Sequence, residues 1–190
     1  MKKCWMILAI LVGMAAVLTG CAASEQPGTS ASQGSGDSGA LLGNLSTTDL
    51  EGEAVDAGLF ADHTLTMINI WTTTCPYCIQ EMPTLLQLHQ DYADQGFQVV
   101  GLLADALDAQ GEVDAGQVAE GKEIAQSAGG NYRHILPNLE LYATLLANIP
   151  GVPATVFIDS EGNPVGQGLV GAKDYDTWAA IIEENLAALQ

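Results

Sequence analysis

A chain of 190 residues with 23 acidic and only 5 basic side chains carries a formal charge of −18 at pH 7. A surface of that sign repels nucleic acid and anionic lipid headgroups, which excludes functions that depend on binding either through charge. It favours solubility and suits a basic or neutral partner, and it says nothing about fold.

The first twenty residues read as an address, with Lys2 and Lys3 ahead of an apolar run from Cys4 to Leu18. That run is shorter than the ~20 apolar residues a spanning helix needs and ends at small residues, so residues 1–20 are predicted to be a cleaved signal. Leu18-Thr19-Gly20-Cys21 resembles the lipobox of bacterial lipoproteins. The resemblance implies that Cys21 becomes the first residue and carries a diacylglycerol, whose two acyl chains suffice for stable anchoring. The alternative is an ordinary secretory signal near whose end Cys21 happens to fall. Loss of Lys2 and Lys3 would leave 3 bases against 23 acids, a balance of −20, so the acyl anchor rather than charge must hold the chain at a membrane. From residue 21 to 40 follows a Ser-, Gly- and Ala-rich segment with almost no large apolar side chain; as a flexible coil it would span roughly 25 Å. It is predicted to be a tether.

Residues 41–190 have the size of one domain with its own core. In chain order, the sequence predicts an early hairpin around Asp49-Leu50-Glu51-Gly52, an apolar strand over Leu65–Trp71, and a helical stretch over Ile79–Asp94. A strand apolar but for Gln98 runs from Phe97 to Ala104, followed by a polar loop from Asp105 to Ala115 that reads as a surface insertion. Helices are predicted over Gly116–Ala128 and Leu139–Ala147, separated by a segment, Tyr132–Leu136, that is a strand or merely extended. The strand Ala154–Asp159, the turn Ser160-Glu161-Gly162-Asn163 and the strand Pro164–Val170 form a second hairpin. A last helix over Asp174–Leu189 places Tyr175, Trp178, Ile182, Leu186 and Leu189 on one face. The order implies an α/β fold, a mixed central sheet flanked by helices, with an N-terminal β-hairpin extension.

Export and lipidation would leave Cys75 and Cys78 as the only free thiols. A bridge between residues three apart closes almost no loop and removes little unfolded-state entropy, so the pair suits redox cycling better than stabilisation. It lies where a buried strand meets a helix, and there unpaired N–H groups and the helix dipole favour the thiolate, the reactive form. Pro76 suits the first helical position, where its missing N–H costs nothing. Cys75 is therefore the expected attacking thiol and Cys78 the resolving one. Zinc is disfavoured: it needs about four ligands, there is no second C-x-x-C, and His63, His89 and His134 show no ligand spacing and read as surface or boundary residues.

Met67-Ile68-Asn69-Ile70-Trp71, Cys75-Pro76-Tyr77-Cys78, Glu81-Met82-Pro83 and Gly151-Val152-Pro153-Ala154-Thr155-Val156-Phe157-Ile158-Asp159 together resemble the thioredoxin superfamily, and more narrowly the membrane-anchored TlpA/ResA-like thiol–disulfide oxidoreductases. The resemblance covers most of residues 45–189 and implies a thioredoxin-like fold. It implies a cis bond before Pro153, which the sequence alone leaves open because only ~5–6% of X–Pro bonds are cis. It further implies that Val152 pairs with the substrate chain. Glu81 falls on an acidic position that modulates the thiols, as a base for Cys78 or by like-charge coupling; the other reading is a solvated helix glutamate. Asn69 stands where thioredoxin has a buried acid, Pro83 reads as architecture inside the helix, and Trp71 is expected to pack beside the dithiol and contribute to the substrate face. Cys-Pro-Tyr-Cys departs from the TlpA-like pattern, which places proline before the second cysteine, and is similar to glutaredoxin. Potentials in this superfamily run from about −270 mV to about −120 mV, a span of roughly 7 kcal/mol, so the direction of electron flow stays open.

The function expected is disulfide exchange with exported proteins, more as a reductase than an oxidase, without a cofactor, by a monomer lipid-anchored on the extracytoplasmic side of a bacterial membrane. By resemblance its clients include apocytochrome c, and its electron donor is a membrane protein of the CcdA/DsbD type. Two other readings stay open. Thr72, three residues before Cys75, fits a thiol peroxidase of the peroxiredoxin type, although the proline expected a few residues earlier is missing. Two thiolates could hold copper(I) in a thioredoxin-fold carrier, although such carriers have wider spacing and a partnering histidine.

Overall fold

The structure, a computed structural model, describes residues 40–190. The predicted signal, Cys21 and all but the last residue of the predicted tether lie outside the described residues. Among the described residues no helix is long and apolar enough to cross a membrane.

The centre is a five-stranded sheet in the order β5-β4-β3-β6-β7. Strand β3 (Leu65–Trp71) runs parallel to β4 (Phe97–Leu103), which runs parallel to β5 (His134–Ile135); on the other side β3 pairs antiparallel with β6 (Ala154–Asp159), and β6 with β7 (Pro164–Val170). Every residue of β3 and β4 is buried, because both faces of the sheet are covered and alternation with polar residues is unnecessary. The two-residue period still sorts the side chains. Ile68, Ile70, Val100 and Leu102 meet Phe60 of the short helix α1 (Gly58–Ala61), Leu42 and Leu45 on one face. Leu65, Met67, Phe97 and Val99 meet Leu85 and Leu88 of α2 (Pro76–Asp91) and Trp178, Ile182 and Leu186 of α5 (Tyr175–Ala188) on the other.

Helix α2 begins at Pro76 rather than at Ile79, continues through Pro83 and ends three residues before Asp94, where a 3-10 turn (Ala93–Gln95) leads into β4. Helix α3 (Ala115–Ala128) is capped by the Asp114 carboxylate, which accepts from Gly116 N and Gln117 N. The stretch expected as one helix over Leu139–Ala147 is α4 (Leu139–Thr144) followed by a 3-10 turn, Leu146–Asn148. The expected apolar face of α5 holds at Trp178, Ile182 and Leu186, whereas Tyr175 is half-buried and Leu189, past the end of the helix, is exposed.

The N-terminal hairpin, β1 (Ser46–Thr48) with β2 (Ala54–Asp56), lies against the short edge strand β5. Leu50 N donates to His134 O (3.0 Å) and Leu136 N to Thr48 O (2.8 Å), so backbone groups that would stand open at a sheet edge are paired. The Asp49 carboxylate closes the hairpin by accepting from Glu51 N (3.0 Å) and Glu53 N (2.9 Å). At the opposite hairpin Asp159 accepts from Glu161 N and Asn163 N around Gly162, whose φ of +85° and close approach to the backbone of Gly43 leave no room for a side chain.

Two expectations need correction. The loop after β4 is not merely a surface insertion, because Ala106 is fully buried and Asp105 binds the turn that carries the cysteines. His134 is not a surface or boundary residue: it is buried on β5 against the Trp71 indole. Its sequence neighbours, Arg133 and Ile135, gave no sign of that partner 63 residues away.

Candidate active site

Strand β3 delivers the chain to the dithiol. Past Trp71 the backbone turns, with Cys75 N donating to Thr72 O (3.2 Å), and Cys75 stands as the extended N-cap of α2 with Pro76 at the first helical position. The two sulfurs are joined as a disulfide, and Cys75 Sγ also accepts from Cys78 N at 3.2 Å. A sulfur placed among the open N–H groups of a helix start is favoured as an anion, so the geometry lowers the cost of a thiolate at Cys75 when the bridge opens. Exposure separates the two: Cys75 is 8% exposed and Cys78 0%, so an external reactant meets Cys75 first. Tyr77, between them, is 69% exposed.

Behind the pair, Trp71, Met82, Leu103, Ala106 and Leu136 form one apolar cluster with both cysteines, and Val152 packs against it. The Val152–Pro153 peptide is cis, and Pro153, buried at the start of β6, has its carbonyl bound by Gly171 N at 2.8 Å. Trp71 packs beside the dithiol as expected but is fully buried, so it lies behind the substrate face and does not form part of it. Its Nε1–H donates to His134 Nδ1 (3.1 Å), and an indole can only donate. The other imidazole nitrogen therefore carries the proton and donates to Gly130 O (2.8 Å). Burial pushes the His134 pKa down to about 4, in keeping with a neutral ring. Gly101 on β4 leaves the space the ring occupies, since a Cβ there would lie 2.0 Å from His134 Nδ1.

Glu81, one turn beyond Cys78, is 4% exposed, which removes the reading as a solvated glutamate. Its Oε1 accepts from Trp178 Nε1 (2.7 Å) and Lys173 N (2.8 Å), and its Oε2 from Asn69 Nδ2 (3.4 Å). Burial raises its pKa, and these hydrogen bonds and the Lys173 charge oppose the rise. The Lys173 ammonium lies 4.8 Å over the Trp178 ring and donates to Gly171 O at 2.9 Å. Around Asn69 and Glu81 the core is polar: Asn69 Nδ2 also reaches Thr155 Oγ1 (3.4 Å), while Asn69 Oδ1 has no partner among the described residues.

The structure thus gathers Cys75, Cys78, Trp71, Val152 and Pro153 around one end of the sheet and sets Glu81 beneath. Cys21 lies outside the described residues. Sequence reasoning missed four contributors: Trp178 and Lys173, which hold Glu81, and Asp105 and Thr73, which hold the cysteine turn. Trp178 was legible as core, but only the fold points its Nε1 at a carboxylate. Asp105 carried a faint signal as the first charged residue after a seven-residue buried strand.

The chain matches the redoxin family over residues 26–176. It is 34% identical over 65 residues to the thiol–disulfide oxidoreductase ResA of Bacillus thuringiensis subsp. konkukian, a stretch that is 34% of this chain and 37% of that one. The chain thus spans little more than a third of the length of that curated relative. Among solved structures it is similar to a thioredoxin-family thiol:disulfide interchange protein from Chlorobium tepidum, with a TM-score of 0.61 at 23% identity over 75% of this chain and 92% of that one. The thioredoxin domain of a thiol–disulfide oxidoreductase from Bacteroides vulgatus superposes with a TM-score of 0.55 at 22% identity, over 73% and 92% of the two chains. These two likenesses establish a thioredoxin-like fold.

Proposed function

The chain belongs to the redoxin family, and we propose that it is an extracytoplasmic thiol–disulfide oxidoreductase that reduces disulfides in exported proteins. The observation that carries this reading is the Cys75–Cys78 pair itself, a disulfide opening a helix with one sulfur accessible and the other shielded. In the reduced enzyme the Cys75 thiolate attacks one sulfur of a client disulfide. A bond forms between Cys75 and the client, the client S–S bond breaks, and the departing client sulfur leaves as a thiolate that takes up a proton. Cys78 then loses its proton and attacks Cys75 Sγ, releasing the second client thiol. Two electrons have passed to the client, and the enzyme is left with the disulfide seen here.

Val152, whose backbone groups make no hydrogen bond among the described residues, is free to pair with the client chain beside Pro153, and Trp71 backs that contact. Glu81 adjusts the protonation of the pair from below. A membrane dithiol donor of the CcdA/DsbD type returns the electrons, apocytochrome c is among the clients, and the monomer is held at the membrane by a lipid on Cys21. The ResA relatives support the activity over the matched stretch. Reduction of insulin by dithiothreitol-primed protein tests it: the wild type accelerates precipitation and Cys75→Ser does not. A Cys75→Ser protein as fast as the wild type would remove the nucleophile assignment.

A further inference from the structure

Where β3 and β4 end, the chain leaves both strands side by side: Trp71 pairs with Leu103, and Ala104 N donates to Trp71 O at 2.8 Å. Two residues past each strand end stand Thr73 and Asp105. One carboxylate oxygen of Asp105, Oδ2, accepts from both Thr73 N (3.0 Å) and Thr73 Oγ1 (2.8 Å). Bonds to an ionised acceptor are roughly twice as strong as neutral ones, and Thr73 is only 6% exposed, so its N–H has little recourse to water if the carboxylate is lost. Asp105 is itself fixed from behind. Ala106 is buried in the cluster that contains both cysteines, its carbonyl accepts from Asp114 N (2.8 Å) at the cap of α3, and Gln117 Nε2 of α3 lies 3.4 Å from Asp105 O.

We propose that Asp105 is a positioning residue for the dithiol: through Thr73 it anchors the turn before α2, so that when the disulfide opens Cys75 keeps its sulfur on the Cys78 N–H. The inference rests on the exchange chemistry proposed above and adds to it the part that holds the nucleophile. In the oxidised protein the S–S bond ties Cys75 to α2 by itself. In the reduced protein that tie is gone, and Cys75 is held by its backbone bonds to Thr72 O and from Ile79 N together with the anchor two residues upstream. The sulfur then retains the Cys78 N–H bond, which favours the thiolate.

Asp105 also acts on Cys75 as a nearby anion, and that effect has the opposite sign, because a like charge disfavours a thiolate. Substitution separates the two. Asp105→Asn keeps an acceptor oxygen for Thr73 and removes the charge; Asp105→Ala removes both. Thr73→Val keeps volume and the backbone donor but loses the hydroxyl, and Thr73→Ser restores it. The other titratable groups around the pair, Glu81 on α2, His134 on β5 and Lys173 ahead of α5, are unchanged in all four.

The test is the pH dependence of iodoacetamide alkylation of reduced, full-length protein, with the reduction potential measured in glutathione buffers as a second readout. Neither depends on turnover, so a failure of insulin reduction would count against the proposed function and not against the anchor. For Asp105→Ala the alkylation midpoint moves up by about one pH unit, a roughly tenfold loss of thiolate below it, and the potential changes with it. Thr73→Val moves in the same direction by less, Thr73→Ser stays within twofold of the wild type, and Asp105→Asn, which loses only the charge, moves to lower pH by less than about twofold in thiolate. An unchanged profile in Asp105→Ala overturns the proposal. So does a shift to lower pH shared by Asp105→Ala and Asp105→Asn, which would make the carboxylate a charge and not an anchor. Should Asp105→Ala fold poorly, the near-isosteric pair Thr73→Val and Thr73→Ser decides alone: equal profiles for the two overturn it.

Discussion

Two buried titratable side chains flank the dithiol, and they respond to pH in opposite senses. His134 has a folded-state pKa of about 4, below the ordinary histidine value of 6.5, because burial disfavours its cation. Protonation would also set a second donor against the Trp71 indole N–H at 3.1 Å. As pH falls from about 6.5 to about 4 the unfolded chain takes up a proton that the folded protein refuses, so stability is lost through that window, by roughly 3 kcal/mol. His134→Gln can still accept from Trp71 and donate to Gly130 O without titrating. Denaturant melts at neutral and acidic pH should show the wild type losing that amount relative to the variant; parallel losses would exclude His134 as the source. Glu81 runs the other way. Its pKa is raised by burial, so its ionisation costs folding energy that grows as pH rises above the ordinary glutamate value. Glu81→Gln should therefore gain thermal stability relative to the wild type between acid and neutral pH. Removing a like charge also favours thiolates, so the alkylation profile of the reduced pair should shift to lower pH by on the order of one unit. An unchanged profile would leave Glu81 a structural residue.

The same contrast between local and distant partners decides which elements could be read in advance. Strands β3, β4 and β6 are rich in apolar or β-branched residues and β7 is set by the turn that precedes it, and the limits of all four stand within a residue of where the pattern puts them. The start of α2 lies three residues before the apolar pattern begins at Ile79, and Pro76, suited to a first helical position, is the local mark of it. Strand β5 was ambiguous for a physical reason: two residues carry no period, and what makes His134–Ile135 a strand is β4 on one side and the N-terminal hairpin on the other. The cysteines of the site were legible from spacing alone, and Trp71, Val152 and Pro153 from the order of motifs. Asp105 and Thr73 were not, since a carboxylate that binds a threonine 32 residues away looks like any polar loop residue until β3 and β4 align. Glu81 was half legible: its place one turn past Cys78 follows from helix geometry, but its burial depends on Trp178 and Lys173, 97 and 92 residues further on.

At the scale of the molecule the excess of acid remains unneutralised by the few bases present. Each of the three bases in residues 40–190 is already engaged: Lys122 with Glu51, Arg133 with Asp49 at 3.8 Å, and Lys173 with the carbonyls of Val170 and Gly171 and the face of Trp178. An exposed pair such as Lys122–Glu51 contributes about 1 kcal/mol or less, and three bases cannot offset the mutual repulsion of the remaining carboxylates. Salt acts on that repulsion directly: between about 0.01 M and about 0.1 M the Debye length falls from roughly 30 Å to roughly 10 Å. The thermal midpoint at pH 7 should accordingly rise over that range. Exchange with a client should respond to the same field with a sign set by the client. A short disulfide peptide rich in lysine is drawn toward the surface around Cys75, so its second-order rate should fall as salt is added, whereas an aspartate-rich peptide of the same disulfide should speed up. Stopped-flow reduction of the two peptides across the salt range measures both slopes. Equal slopes would mean that the acidity of this chain governs its solubility and stability and plays no part in selecting a partner for the proposed exchange.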